Sequence, residues 1–585
     1  MKRLLTANWL LFLFFFSGCF LFFEINYRFM YRFMEQYQLF LYTTNYFFDL
    51  LAQPGGYNEY ITSFIAQFFF FPFVAPVCLA VLLTAIGFLF WLFIKRCGVE
   101  VSALPALLPV FLFWVFPVES IASILSVLTG VASAYGYTFI RKPVIRYSSG
   151  VVFILFLYFL ATPAHLLAAV LFGLYEYCSG ENKRRFAIGA GLIILALLLP
   201  LVAMRTLYII PMREAYFSKF LYHPEYPLPT SFWYTWCAFP LMVLLVYLLR
   251  NRKKVFRKDW INGFAICLTL LLIIGGGIFF RENPLEQVYR YDWLARQQQW
   301  DKIITHAEKH PAKDQDALVY VNLASAYTDS FNKALMRFKQ IGEDGFIPYD
   351  PRTRLGLIEA EEVAWTVNQT NASQRFAFVG VLSSERCVQP RLMKRLIETY
   401  LVNEEYKAAE KYIRILEQTL LYSSWAREQR KLLQPEVAES TPWIMAKRKL
   451  NPVTDNPHDL TKSFPNAIAF LIDDHPENRI AFEYGMGYLL IHKELGAFMH
   501  YMKALNERGE ALPVLYQEAI CIYYSAVEQN PETFSSFPID PAVYNRFTTY
   551  LQQVRTLSPT LLARQYGDTY YYYAQSVQPP KRQNR

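Results

Sequence analysis

The 585-residue sequence lacks the compact signatures by which soluble enzymes are recognised. It has no phosphate loop, no dinucleotide glycine fingerprint, no Gly-x-Ser-x-Gly elbow and no His-Glu-x-x-His. These absences exclude P-loop, Rossmann, α/β-hydrolase and zincin chemistry. No group of Cys or His has zinc spacing. His306 and His310 stand four apart on one helix face, but no third ligand follows, so they read as a solvated pair. Six of the eight cysteines (Cys19, Cys78, Cys97, Cys178, Cys237 and Cys267) lie in or beside apolar runs. Only Cys387 and Cys521 fall in the polar tail, where they either pair or stay as buried thiols. Strand-like alternation is nearly absent, and no low-complexity linker interrupts the chain.

What is present is a sharp change of composition near residue 280. Before it the chain is dominated by Phe, Leu, Ile, Val and Tyr; after it, charge density is ordinary. The expected fold class is therefore all-α, with a membrane domain over 1–280 and a helical domain over 281–585. A span needs about 20 apolar residues. Candidate spans are 4–23, 71–94, 101–118, 120–140, 147–162, 164–179, 186–204, 232–249 and 261–280. Proline at Thr162-Pro163-Ala164-His165 predicts a tight hairpin between two of them. With nine spans, the basic groups Lys2-Arg3, Lys95-Arg96, Arg141-Lys142 with Arg146, Lys183 to Arg185 and Arg250 to Lys258 all fall on one side, which the positive-inside rule makes cytoplasmic. The 24–70 loop, the turns at Glu119 and His165, the 205–231 loop and the tail then face outward. This topology accounts for the net charge of +9 without a nucleic-acid partner. Phe16-Ser17-Gly18-Cys19 resembles a lipoprotein cleavage box, but the apolar run continues past it, which favours an uncleaved first helix.

The outward loops concentrate the polar residues. Glu24 ends the first span, followed by Arg28, Arg32, Glu35 and the aromatic stretch YQLFLYTTNYFFDLL, suited to the membrane interface. Asp49 precedes the Pro54-Gly55-Gly56 turn; Tyr57, Glu59 and Tyr60 follow it. Arg205, Arg213, Glu214, His223 and Glu225 share the predicted face. Each also has a plain reading as a solvated helix end or an interfacial anchor.

In the tail, four windows resemble tetratricopeptide (TPR) units: 291–311, 322–338, 396–416 and 482–502, while 425–465 does not fit. Such units stack to bury faces that one helix pair cannot bury alone, and their concave surfaces commonly take a protein or peptide partner. The layout of residues 1–280 resembles the GT-C superfamily of glycosyltransferases. That resemblance implies a polyprenyl-phosphate sugar donor, an acidic base among Glu24, Asp49 and Glu59, and Arg205 or Arg213 on the donor phosphate. The first loop carries no Asp-Glu or Asp-x-Asp pair, and no cofactor is implied, the need for a divalent metal being left open. The whole chain, through HPENRIAFEYGMGYLL at 475–490 and LPVLYQEAI at 512–520, also resembles an uncharacterised bacterial family of polytopic proteins with a TPR-like tail. The sequence thus predicts a bacterial inner-membrane protein, either a GT-C-like transferase or a non-enzymatic scaffold. A transporter is disfavoured, because spans three to nine carry few mid-membrane charges.

Overall fold

The computed structural model describes residues 2–37, 39–115, 121–180, 183–218, 230–249, 267–268, 271, 275, 284–312, 314–328, 330–340, 345–347, 353–383, 389–452, 454–526 and 534–577. Helices account for the regular structure throughout, and no strand occurs among the described residues, as the periodicity predicts. Two compact units result: Met1–Asn283 with Gln418–Leu421, and Pro284–Glu417 with Tyr422–Arg585.

The first unit contains α1 (Lys2–Asn26), α2 (Arg28–Met34), α3 (Thr44–Leu51), α4 (Gly56–Ala66), α5 (Val74–Arg96), α6 (Leu104–Val115), α7 (Ile121–Tyr137), α8 (Pro143–Ala161), α9 (Ala164–Cys178), α10 (Lys183–Thr206), α11 (Met212–Phe217) and α12 (Thr230–Leu248). Helix length corrects the count of nine spans. Among the described residues, four helical stretches are long and apolar enough to cross a membrane: Asn8–Asn26, Val74–Arg96, Pro143–Ala161 and Lys183–Thr206. The expected spans 101–118, 120–140, 164–179 and 232–249 instead form the shorter apolar helices Leu104–Trp114, Ile121–Tyr137, Ala164–Cys178 and Trp233–Leu248. The ninth, 261–280, lies almost wholly outside the described residues. An apolar run records composition, whereas helix ends depend on backbone breaks. Thr162-Pro163 ends α8 and starts α9, as the predicted hairpin requires, and α9 runs only from there to Cys178.

The first loop is not a simple surface segment. Thr43 caps α3, accepting a hydrogen bond from the Tyr46 amide at 3.2 Å. Gly55 then takes a left-handed conformation (φ 75°) that redirects the chain into α4. Its amide donates to the Phe159 carbonyl at 3.0 Å, so the turn sits on the end of α8. Helix α4 packs against α7 and α8 and buries its polar side: Asn58 donates to the Ala122 carbonyl (2.8 Å) and to Ser126 Oγ (2.9 Å).

At the opposite end of α8, Arg146 grips Glu176 of α9 through Nε–Oε1 (2.6 Å) and Nη2–Oε2 (3.0 Å). The Tyr137 hydroxyl donates to the same carboxylate at 3.1 Å. All three side chains are buried, and together they tie α7, α8 and α9.

The second unit is a succession of helical hairpins: α13 (Pro284–Arg296) with α14 (Trp300–Lys309), α15 (Gln315–Tyr327) with α16 (Phe331–Ala334), α17 (Arg354–Thr366) with α18 (Thr370–Ser383), and α19 (Pro390–Val402) with α20 (Tyr406–Leu416). Next come α21 (Ser423–Lys431), α22 (Pro435–Glu439), α23 (Pro442–Lys449), α24 (Phe464–Asp474), α25 (Arg479–Ile491), α26 (Leu495–Glu507) and α27 (Val514–Ala526). Each of the four sequence windows spans one helix–turn–helix. Three of these turns, and the turn between α17 and α18, share a backbone solution: Gln298, Asn368, Glu404 and Lys493 each adopt positive φ (55°, 65°, 62° and 57°). The next amide in each case, Gln299, Gln369, Glu405 and Glu494, reaches back five residues to a helix carbonyl. This is the Schellman way of satisfying terminal carbonyls. Small and aromatic residues then seat the hairpins: Ala307 and Ala409 are fully buried, and Tyr400 stacks on Tyr412 at 5.9 Å.

Candidate functional site

The residues expected to carry chemistry in the first unit sit on separate helices. Glu24, near the end of α1, accepts an ion pair from Arg28 one turn on, at 3.3 Å. Asp49 is exposed on α3. Glu59 is buried on α4, where it accepts from Ser63 Oγ at 3.2 Å. Arg205 is exposed in the last turn of α10, and Arg213 is half-buried on α11. Glu119, His223 and Glu225 lie outside the described residues. Helix α1 packs chiefly on α5, with Trp114 of α6 stacked on Phe22 at 4.5 Å, whereas α10 packs chiefly on α9, α8 and α11. Glu24 and Arg205 thus belong to different helix groups. The first loop and the segment after α10 do approach each other through Phe159. Its carbonyl holds the Gly55 amide, and its ring lies 6.5 Å from that of Tyr208. His165, expected in an outward turn, is fully buried with its ring edge-on to Tyr158 at 5.1 Å.

The densest set of functional side chains is in the second unit, in a cleft of about 550 Å³. Its walls are the end of α13 (Arg296), α17 (Glu362, Trp365), α19 (Arg391, Lys394, Arg395, Glu398), α21 (Trp425, Gln429) and α23 (Trp443, Ala446, Lys447). Helix α19 supplies the cationic wall because Arg391, Lys394 and Arg395 follow at i, i+3 and i+4, one face of a helix.

Two of these cations are neutralised from behind. Arg391 is buried and donates to Asp292 and, at 2.9 Å, to Glu362 Oε2. Arg395 donates to the same Glu362 oxygen (3.1 Å) and to Glu398 Oε2 (3.0 Å), and also pairs with Glu361. Burial tends to raise the Glu362 carboxyl, but Arg395 and Arg391 outweigh it and hold the group below its ordinary range. This network is a rigid back wall.

The other cations meet aromatic rings and neutral oxygens. Lys447 donates to the Trp365 carbonyl and, at 2.8 Å, to Asn368 Oδ1. Its ammonium lies 4.4 Å from the Trp365 ring centre, with the Arg395 guanidinium 4.3 Å from that same ring. Burial, reinforced by Arg395, lowers the Lys447 amine to about 7. Lys394 lies 4.5 Å from the Trp425 ring centre. Arg296 rests 5.6 Å from the Trp293 ring and makes no ion pair, and its buried Nη1 has no hydrogen-bond partner among the described residues. Trp443, about a third exposed, has no cation over its face.

A family of unknown function (DUF6057) matches residues 2–576, nearly the whole chain. The chain belongs to this family. No curated protein and no solved structure matches it. The cleft was missed from sequence because six of its fifteen lining residues come from 425–465, the stretch that breaks the repeat pattern. The signal that was available is RLMKR at 391–395, three cations on one helix face.

His306, read as solvated, is half-buried and faces the Tyr291 hydroxyl at 3.0 Å and Arg290. Cys521 is buried with a free thiol, and Cys387 lies outside the described residues.

Proposed function

We propose that this chain is an integral protein of a bacterial inner membrane that carries a TPR-like array outside the cytoplasm and acts as a membrane-anchored binding scaffold. One observation carries this reading. The charged and aromatic side chains converge on the cleft of the second unit, whereas Glu24, Asp49, Glu59, Arg205 and Arg213 are spread over five helices of the first. The shared Schellman turns of the hairpins support the repeat assignment. The basic clusters support the topology.

A GT-C-like transfer from a polyprenyl-phosphate sugar is the second reading. It is favoured by the Gly55–Phe159–Tyr208 contacts, which gather the first loop and the segment after α10. In it, Glu59 or Glu24 takes the proton of an acceptor hydroxyl, and Arg205 or Arg213 holds the lipid phosphate.

Complementing a deletion strain separates the two. On the scaffold reading, Glu24→Ala, Asp49→Ala and Glu59→Ala each restore the envelope phenotype and the double variant Arg296→Gln/Lys447→Met does not. The opposite pattern assigns the function to the membrane unit. Reporter fusions after residue 577 test the topology separately, being active only if the tail is extracytoplasmic.

A further inference from the structure

We propose that the cleft of the second unit is a binding site for a small organic oxyanion, a sugar-sized molecule bearing a phosphate or carboxylate. The inference deepens the scaffold reading and depends on it only for the side of the membrane on which the ligand is met.

Arg391 and Arg395 are matched by Asp292, Glu361, Glu362 and Glu398. Arg296 and Lys447 have no carboxylate partner within ion-pair distance among the described residues, and the hydrogen-bond acceptors of Lys447 are neutral. The Arg296 guanidinium keeps its formal charge beside the Trp293 ring, because the ring quadrupole positions it without neutralising it, and the Lys447 amine, lowered to about 7, takes up its proton more readily when an anion sits beside it. The cleft therefore carries uncompensated positive charge in a partly desolvated place, where an anion binds more strongly than at an open surface.

Arg296 Nη1 and Gln429 Oε1 are both buried and without hydrogen-bond partners, and their side chains line this one cavity. A buried donor and acceptor left unpaired each cost roughly 1–3 kcal/mol. A ligand with both an oxyanion and hydroxyl groups satisfies the two together: its oxygens accept from Arg296, and a hydroxyl donates to Gln429.

About 550 Å³ lies within the range of roughly 300–1,000 Å³ typical of small-molecule sites. Trp443 offers the ring face that no cation occupies, suited to the C–H face of a sugar. A peptide is the less fitting occupant. No strand edge occurs among the described residues to pair an extended chain, and ten of the fifteen lining residues are polar or charged where a helix-binding groove needs a continuous apolar floor.

Three tryptophans line the cleft, so binding is read as a change in intrinsic fluorescence of the full-length protein in detergent. Glucose 1-phosphate and glucuronate are titrated beside glucose, inorganic phosphate and a Glu-rich peptide. We expect a saturable change with one or both sugar acids, at least tenfold weaker with phosphate, and none with glucose. Arg296→Gln and Lys447→Met should each weaken binding about tenfold or more while keeping a cooperative thermal transition. Trp443→Ala should weaken the sugar acids and leave phosphate unaltered. Silence toward both sugar acids overturns the proposal, as do equal binding of glucose, equal binding of phosphate or response to the peptide alone. If Lys447→Met fails to fold, Arg296→Gln decides. None of these results depends on topology, so failure here leaves the complementation test intact.

Discussion

Arg146 and Glu176 face each other through two parallel hydrogen bonds of 2.6 and 3.0 Å, at the start of α8 and the end of α9. Both are buried, so neither charge is screened by solvent, and removal of either strands the other. Glu176→Gln or Arg146→Met should therefore cost about 3–5 kcal/mol in stability. Replacing both, as Arg146→Met with Glu176→Leu, should cost markedly less than either alone. Thermal unfolding in detergent measures all three, and a double variant as unstable as the singles would show that the pair does more than neutralise itself.

That pair also shows which parts were legible in the sequence. Arg146 was visible as one cation of a basic cluster, because loop charge reports sidedness. Its partner was not, because Glu176 lies 30 positions away on another helix and only packing joins them. Helix type was legible from periodicity throughout, and the Thr162-Pro163 break from proline chemistry. Span number was not, since apolar composition continues past the points where helices end. The cleft follows the same logic. Its α19 stripe stands in the sequence as Arg391, Lys394 and Arg395, whereas Trp443 and Lys447 come from a stretch without repeat character.

Lys447 sets a pH dependence for the second unit. Its amine is lowered to about 7 by burial and by Arg395; Glu362, Glu398 and Glu361 oppose the shift. The unfolded chain has an ordinary lysine near 10.4. Between these values the unfolded state binds the extra proton, so stability rises with pH across the window. The contribution is complete above the unfolded value and lost as pH falls to about 7. Denaturant unfolding from pH 7 to 9.5 should show this rise in the wild type and a flatter profile in Lys447→Met. Identical slopes would mean that the folded amine keeps its proton across this window, as an ordinary lysine does.

Glu518 works in the other direction. Its carboxyl, buried on α27, accepts the Tyr570 amide at 2.7 Å, and burial raises it to about 7. A folded value above the unfolded one near 4.3 makes its contribution complete below the unfolded value and lost as pH rises through about 7. Glu518→Gln keeps an acceptor for Tyr570 without the titration. The variant should lose less stability than wild type between pH 5 and 8.

The hairpin turns offer a stabilising change. Glu404 sits at φ 62°, a conformation costing an L-residue about 1 kcal/mol or more. Its side chain is 62% exposed and its ion pair with Arg448, at 3.1 Å, is worth little. Glu404→Gly should therefore be more stable than Glu404→Ala by about 1 kcal/mol, since both lose the ion pair and only glycine relieves the turn. Equal melting temperatures would show that the turn relaxes without strain.

The Pro-Gly-Gly turn of the first loop ties two glycines to different causes. Gly55 has positive φ, and a Cβ there would stand 3.1 Å from the Thr162 carbonyl oxygen. Gly56 has no such φ, but its Cβ would fall 1.7 Å from the Leu50 carbonyl oxygen, inside the backbone of α3. Gly55→Ala should cost about 1–2 kcal/mol from the backbone conformation. Gly56→Ala should cost more, about 3 kcal/mol, because overpacking against backbone cannot be relieved by a rotamer change. Gly55→Asn should recover part of the first loss, as asparagine tolerates the left-handed region, whereas Gly56→Asn should recover nothing. Thermal unfolding of the four variants in detergent ranks them. If Gly56→Ala proves the milder change, α3 and α4 do not meet as closely as the Leu50–Gly56 approach requires.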